Sequence, residues 1–190
     1  MLHDEGDTLL VFTNLQNIAE AQSQGIDIDL RLRVGQTRFG RVSLSNTGTY
    51  YDMIRTRTTG ESAWGNFAGT YALPRYRNVF LATTEFGAWG FTVAHRYTHG
   101  FWDTDAGVAD SESRPANVRR VGSHDEVDVQ VSFLGIRRLR LDLGVKNLFD
   151  NEPPFSFTNA SKNAYTQMGF AELYTNRGRF YYGTLRFEFR

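Results

Sequence analysis

The chain of 190 residues contains no cysteine, so disulfides, thiolate metal sites and cysteine nucleophiles are excluded at once. It also has no net charge. Its 21 Lys and Arg offset 21 Asp and Glu, which leaves no global basic field for nucleic acid and no acidic tail. No stretch approaches the roughly 18 apolar residues that a membrane-spanning helix needs. The opening Met-Leu-His-Asp-Glu-Gly-Asp is acidic and lacks an apolar run, so the chain is expected to be either cytoplasmic or a piece of something longer. Gly35 and Gly40 frame no Lys-Ser/Thr pair, which removes a phosphate loop, and no Ser sits in a strand-turn-helix context suited to a nucleophile.

What the chain does have is aromatic residues, glycine and strict alternation. Fifteen Phe, nine Tyr, three Trp and eighteen Gly favour strands and turns over helices. From Gly25 to Val34 the positions Ile26, Ile28, Leu30, Leu32 and Val34 are apolar, while Asp27, Asp29, Arg31 and Arg33 between them are charged. A helix would scatter those charges over every face, so the segment reads as a strand with one apolar and one charged side. Val127 to Phe133, Leu139 to Lys146 and Tyr181 to Phe189 repeat the pattern, and Arg38 to Tyr51, Arg75 to Thr84 and Ala88 to Trp102 do so less regularly. A short strand near Thr8 to Thr13 makes about eight. Averaged hydropathy hides such strands, because only every second residue is apolar.

The connections sharpen the reading. Val34 to Thr37, Glu85 to Gly87 and Gly135 to Arg138 read as tight turns, whereas Ile54 to Pro74, Asp103 to Ser123 and Leu148 to Gly178 are long and polar. Short and long connections alternate, so an up-and-down antiparallel sheet has all its turns at one end and all its long loops at the other. That asymmetry belongs to transmembrane β-barrels with short periplasmic turns and long extracellular loops. Three such loops are unusual in a compact soluble domain. The fold class expected is therefore all-β, an up-and-down transmembrane barrel segment of about eight strands.

Each candidate site also has a simpler role. Asp27 and Asp29 lie two apart on one strand face, about 7 Å between Cα atoms, a spacing open to a glycosidase pair. Arg31 and Arg33 continue that face, which favours a mutually paired wall instead. His95 and His99 have a zinc-like spacing, but on a strand they stand about 13 Å apart, too far for one metal. Asp103, Asp105, Asp110 and Glu112 could offer oxygen ligands to calcium, yet their spacing fails the EF-hand pattern and suits a polar loop. Asn159-Ala160-Ser161 is a glycosylation sequon by letter only. Tyr50, Tyr51, Phe101, Trp102, Tyr181 and Tyr182 fall near strand ends and are expected to form aromatic girdles, while Trp64 and Tyr71 suit either ligand contact or loop packing. No catalytic, metal or cofactor residue is assigned, and no cofactor is expected.

Val145-Lys146-Asn147-Leu148-Phe149-Asp150-Asn151-Glu152-Pro153-Pro154, followed by Gly178-Arg179-Phe180-Tyr181-Tyr182, resembles the C-terminal part of a TonB-dependent outer-membrane receptor. There an Asn-Leu-Phe-Asp motif ends one strand and a Gly-Arg-x-aromatic segment opens the last. Asn17 to Leu30 and Pro74-Arg75-Tyr76-Arg77 are similar to upstream strands of that family. The resemblance implies a barrel of about 22 strands with a plug in its lumen, importing an iron chelate, cobalamin or glycan with energy from the TonB complex. It implies that residues 1–190 are the C-terminal barrel portion, with the plug, the energy-coupling segment and the earlier strands absent, in a bacterial outer membrane and without enzymatic activity. The partners implied are outer-membrane lipid, the rest of the barrel and plug, the TonB complex and a small nutrient. The alternative from another class is a soluble β-sandwich or barrel that binds or hydrolyses glycans with Asp27 and Asp29.

Overall fold

A computed structural model describes residues 2–5, 8–11, 20–71, 73–109, 117–158, 173–175 and 177–189. Seven long strands form one antiparallel meander: β3 (Glu20–Thr37), β4 (Gly40–Arg57), β6 (Tyr76–Phe86), β7 (Trp89–Thr98), β11 (His124–Ile136), β12 (Leu139–Lys146) and β13 (Phe180–Phe187). The two-residue strands β5 (Gly65–Asn66) and β9 (Val108–Ala109) extend the same sheet beyond β4. Two further short strands, β8 (Phe101–Trp102) and β10 (Arg120–Val121), pair with each other outside it. The fold is all-β and antiparallel, as the alternation predicts.

The expected first strand is the exception. Thr8–Val11 is a strand, β2, but it pairs with β1 (Leu2–Glu5) in a separate hairpin rather than with the meander; Phe12 and Thr13 lie outside the described residues. Two boundaries also move. The first turn falls at Arg38–Phe39 rather than Val34 to Thr37, because Gly35, at a φ of 80°, is taken up as a bulge inside β3. The strand expected to run from Ala88 to Trp102 stops at Thr98, because Gly100 lets the chain turn against the backbone of Val121; a Cβ there would sit 2.5 Å from the Val121 carbonyl oxygen.

The predicted asymmetry of the connections is present. Arg38–Phe39, Gly87–Ala88 and Arg137–Arg138 are two-residue turns at one end, and residues 58–75, 99–123 and 147–179 form the connections at the other. Gly87 and Arg138 take positive φ values of 58° and 65°, as tight hairpin turns require. The β3–β4 hairpin runs 18 residues per strand, about 60 Å. A membrane crossing uses only about 9–11 residues. The excess lies at the loop end, where Arg57 bonds Glu20 at 2.7 Å and Arg55 bonds Gln22 at 2.7 Å.

Register turns the alternation of each strand into two continuous faces. One cross-strand row reads Leu32, Leu44, Ala82, Val93, Val129, Val145 and Tyr181. The neighbouring row on the opposite face reads Arg33, Ser43, Thr83, Thr92, Gln130, Gly144 and Tyr182. No second layer covers the apolar face among the described residues: Ile26 and Leu30 are each 62% exposed and Leu185 is 67% exposed. Leaving a large aliphatic side chain in water forgoes about 1.5–3 kcal/mol, so the five on β3 alone forgo as much as a whole domain's net stability. A soluble sandwich would bury this face against a second sheet, and among the described residues no second sheet lies on it.

On the polar face side chains pair both across and along strands. Ser43 and Thr83 hydroxyls meet at 2.5 Å, Arg140 holds Asp142 through Nε at 2.9 Å, and Asp142 accepts from Ser132. Tyr182 lies across Gly144 and donates from its hydroxyl to Gln130 at 2.8 Å. Glycine at 144 makes room for this contact, because a Cβ there would displace the Tyr182 ring. Gly144→Val is therefore expected to cost about 1–3 kcal/mol through overpacking, read as a lower urea midpoint of the refolded chain. Adding Tyr182→Ser should restore part of the loss; a double variant no more stable than the single one contradicts this account.

Candidate functional site

The polar face deepens toward the loop end into a cavity of about 650 Å³. Its wall is Thr47 and Thr49 of β4, Arg77 of β6, Arg96 of β7, Glu126 and His124 of β11 and Lys146 of β12, and Tyr174 and Arg177 of the third long connection cover it. The centre is an ion cluster. Arg96 donates through Nη1 to Asp128 at 2.7 Å and through Nη2 to Glu126 at 2.8 Å. Glu126 also meets His124 Nε2 at 3.3 Å, and its side chain is 9% exposed. Two carboxylates around one guanidinium leave neither charge buried without a partner, the condition under which such burial is tolerated. The Tyr174 ring stands edge-on to His124 with centroids 4.9 Å apart.

Three long connections meet above this wall. Phe101 and Val121, each 1% exposed, form a small apolar core with Tyr71 of the first connection and Leu173 and Tyr174 of the third. A polar clasp joins the second connection to the third. The Asp103 carboxylate accepts from Ser156 Oγ at 2.6 Å and from the backbone N–H of Phe157 at 2.8 Å and Thr158 at 3.2 Å. Arg119 lies 3.6 Å away. Burial pushes the Asp103 carboxyl up, but these donors outweigh it and hold the group below the usual carboxylate range.

A second clasp explains the sequence motif at the end of β12. Asn147, at a φ of 49°, accepts from the Asn151 N–H at 2.9 Å and donates to the Asn151 carbonyl at 3.0 Å. Its own N–H donates to Asp128 at 2.9 Å. Asp150, at a φ of 58°, accepts from the Arg179 N–H at 2.6 Å, which sets the start of β13 beside the end of β12. Asn and Asp tolerate this left-handed conformation better than other side chains with a Cβ. Gly178 is small for a steric reason: a Cβ there would sit 2.8 Å from the Asp150 carboxylate.

Asp27 accepts from Thr49 at 2.7 Å, and Asp29 is held by Arg31 at 3.0 Å; all lie on the polar face, so the wall reading describes their contacts. His95 and His99 project from the opposite face. His95 Nε2 lies 3.8 Å from Asp125, and His99 contacts Tyr97 and Arg120, each at 3.2 Å. Among the described residues no group of three His, Asp or Glu could hold a metal; Asp110, Glu112 and the Asn159 sequon lie outside them. Of the girdle residues, Tyr50 and Tyr181 fall on the apolar face, Tyr181 near the start of β13 and Tyr50 within β4 opposite the start of β6. The others do not: Tyr51 lines the cavity, Tyr182 crosses the polar face, Phe101 is buried in the loop core, and Trp102 lies in the β8–β10 pair. Trp64 is covered by Arg55 and Arg57, 4.6 and 4.8 Å from its ring centre, and Tyr71 packs on Phe101, so both take part in loop packing. The cluster of Arg96, Glu126 and His124 was not singled out from sequence. Its signal is the polar phase of β7 and β11, which becomes a cluster only once register sets Arg96 beside Glu126.

A family model described as TonB dependent receptor-like, beta-barrel matches residues 4–148. No curated protein and no solved structure matches the chain.

Two outcomes follow from the loop contacts. The Asp103 carboxyl is depressed, so its contribution is whole above the ordinary carboxylate range and is lost as pH falls through the folded value. Asp103→Asn should speed amide exchange at Phe157 and Thr158 on the order of tenfold at neutral pH, and unchanged exchange rules the clasp out. Burial raises the Tyr174 hydroxyl to about 12, and among the described residues its oxygen has no hydrogen-bond partner. Tyr174→Phe should therefore remove a late phase from the ultraviolet titration without lowering stability, since an unsatisfied buried group is lost with the oxygen. A marked drop in the urea midpoint would show that the hydroxyl is in fact bonded.

Proposed function

Because the chain belongs to the TonB dependent receptor-like β-barrel family, a family of outer-membrane receptors and transporters rather than enzymes, we propose that residues 1–190 form the C-terminal wall of such a receptor in a bacterial outer membrane. The observation that supports this most is the pair of uninterrupted rows across seven strands, one apolar throughout and one polar. The apolar face meets lipid, the polar face meets the lumen, and residues 58–75, 99–123 and 147–179 face outward. No pairing joins β3 to β13 among the described residues. An unpaired strand edge inside hydrocarbon costs several kcal/mol for each bare backbone group. Further strands of the same barrel, together with the plug, supply the missing partners in this reading, and the TonB complex acts through the plug.

The transported ligand is a scarce nutrient of the iron-chelate, cobalamin or glycan kind. The loop core above the cavity captures it, and the Arg96 cluster lines the upper lumen through which it passes when the plug moves. The chain's part is to bind and to guide, with no bond made or broken.

The test is topological. Refolded into vesicles, the chain should run differently on a gel when unheated than when boiled, as integral barrels do. A variant keeping Trp89 alone, with Trp64→Phe and Trp102→Phe, should be quenched by brominated lipid tails, because Trp89 stands on the apolar face beside Phe133. Trp89 fluorescence indifferent to brominated lipid, or a chain that is soluble and monomeric without detergent, would show that the apolar face does not meet lipid.

A further inference from the structure

The cavity under the third connection holds more positive charge than its own contacts engage. Among the described residues four cations line it, Arg77, Arg96, Lys146 and Arg177, against one acid, Glu126. Arg96 is held by Glu126 and Asp128, and Glu126 is shared between Arg96 and His124. Arg77, Lys146 and Arg177 form no ion pair with a carboxylate among the described residues. Register fixes the first two. Thr49, Arg77, Thr98 and His124 form one row of the polar face. Arg77 and Lys146 come from β6 and β12, with β7 and β11 between them, so their backbones stand about 14 Å apart across the sheet. They meet the cavity from two sides.

A second observation concerns the same space. Tyr174 lines the cavity with its ring against His124, and among the described residues its buried hydroxyl has no hydrogen-bond partner. Burial raises this hydroxyl and the Arg77 charge opposes the rise, so the two groups share one environment. Native structures rarely keep a buried polar group unsatisfied, and such a group in a cavity marks where a ligand atom fits. Guanidinium and ammonium groups offer donors and no acceptor, and the tyrosine hydroxyl can donate beside them. A fitting occupant therefore brings acceptor oxygens that carry negative charge.

We propose that the cavity takes a small ligand bearing two or more carboxylates, one met by Arg77 and the Tyr174 hydroxyl and another by Lys146, with Arg177 adding charge from the covering connection. The inference rests on the receptor reading of this cavity and narrows its ligand to an acidic chelate, setting aside neutral glycans and cobalamin. Hydrogen bonds between charged partners are the strong ones. A neutral ligand would instead strip water from the cations and return no charge. The spacing of Arg77 and Lys146 suits a molecule with anionic groups at both ends, where a single small anion would reach one cation and leave the other. The volume of about 650 Å³ lies within the range of about 300–1,000 Å³ that encloses a drug-sized molecule.

The test uses the whole chain refolded in uncharged detergent and titrated by calorimetry with propane-1,2,3-tricarboxylate, its uncharged triamide, inorganic phosphate, maltotriose and cyanocobalamin. Wild type is expected to bind the tricarboxylate and not the triamide. The Arg77→Gln, Lys146→Gln double variant should bind on the order of a hundredfold more weakly, at about tenfold per cation, and Tyr174→Phe about fivefold more weakly. An Arg137→Gln, Arg138→Gln variant, altered at the turn end, should bind like wild type. Should the double variant fail to fold, by its urea midpoint, Tyr174→Phe and the triamide decide the matter on the native fold. Equal binding of tricarboxylate and triamide overturns the site, as does unchanged affinity in the folded double variant or in Tyr174→Phe. Phosphate bound as tightly as the tricarboxylate overturns the two-ended ligand, and maltotriose or cyanocobalamin bound more tightly overturns the acidic class. The gel shift between unheated and boiled samples separates the two claims. Charge-dependent binding without the shift removes the receptor reading and keeps the site, whereas a normal shift without such binding removes this inference alone.

Discussion

A backbone amide in hydrocarbon has no water to turn to, and that constraint orders everything else in this chain. It requires extended strands paired side by side, and pairing requires neighbouring strands to keep register over most of their length. Once register is kept, the two-residue period of each strand is no longer a local property. Leu32 and Tyr181, which stand at opposite edges of the meander, belong to one apolar row because five intervening strands preserve the phase. A slip of one residue anywhere would place arginines in lipid, so register is defended on both faces at once.

The polar face shows how that defence is arranged. Its contacts run mainly between strands: Arg96 from β7 to β11, Tyr182 from β13 to β11 across β12, and Ser43 from β4 to β6. Each contact is modest in a wet lumen, where exposed pairs contribute about 0–1 kcal/mol. Their value lies in being possible in only one alignment. Gly144 makes the point in negative form, because its lack of a side chain is what lets a tyrosine reach over one strand to the next. The ladders supply cohesion, and the side-chain network selects among ladders.

Much of this was legible in the sequence. The strands of the meander announced themselves through alternation, and the split between short turns and long connections followed from composition alone. Asp27 to Arg33 read as a paired wall, and Thr49 and Arg31 occupy their carboxylates in that way. Other features were hidden for identifiable reasons. Gly35 has the composition of a turn but the geometry of a bulge, and only the partner strand distinguishes the two. Phe101 and Tyr51 have the same residue types as girdle rings, but their destinations depend on long connections that obey no period. Asp103 looked like one member of an acidic loop cluster; its donors come from more than fifty residues away, a separation that no local pattern reports.

The Asn147 to Asp150 turn reaches beyond its own few contacts. By taking the Arg179 N–H, Asp150 brings together the two ends of a connection roughly thirty residues long before that connection contributes anything itself. The closing strand is thus aligned from its first residue, whatever lies between. Closing a flexible loop costs only about 0.6 kcal/mol more for each doubling of its length, so the length of the connection weighs little on the alignment of the closing strand. A strand whose start is set by one carboxylate in this way owes its alignment to Asp150 rather than to the chain that runs between them.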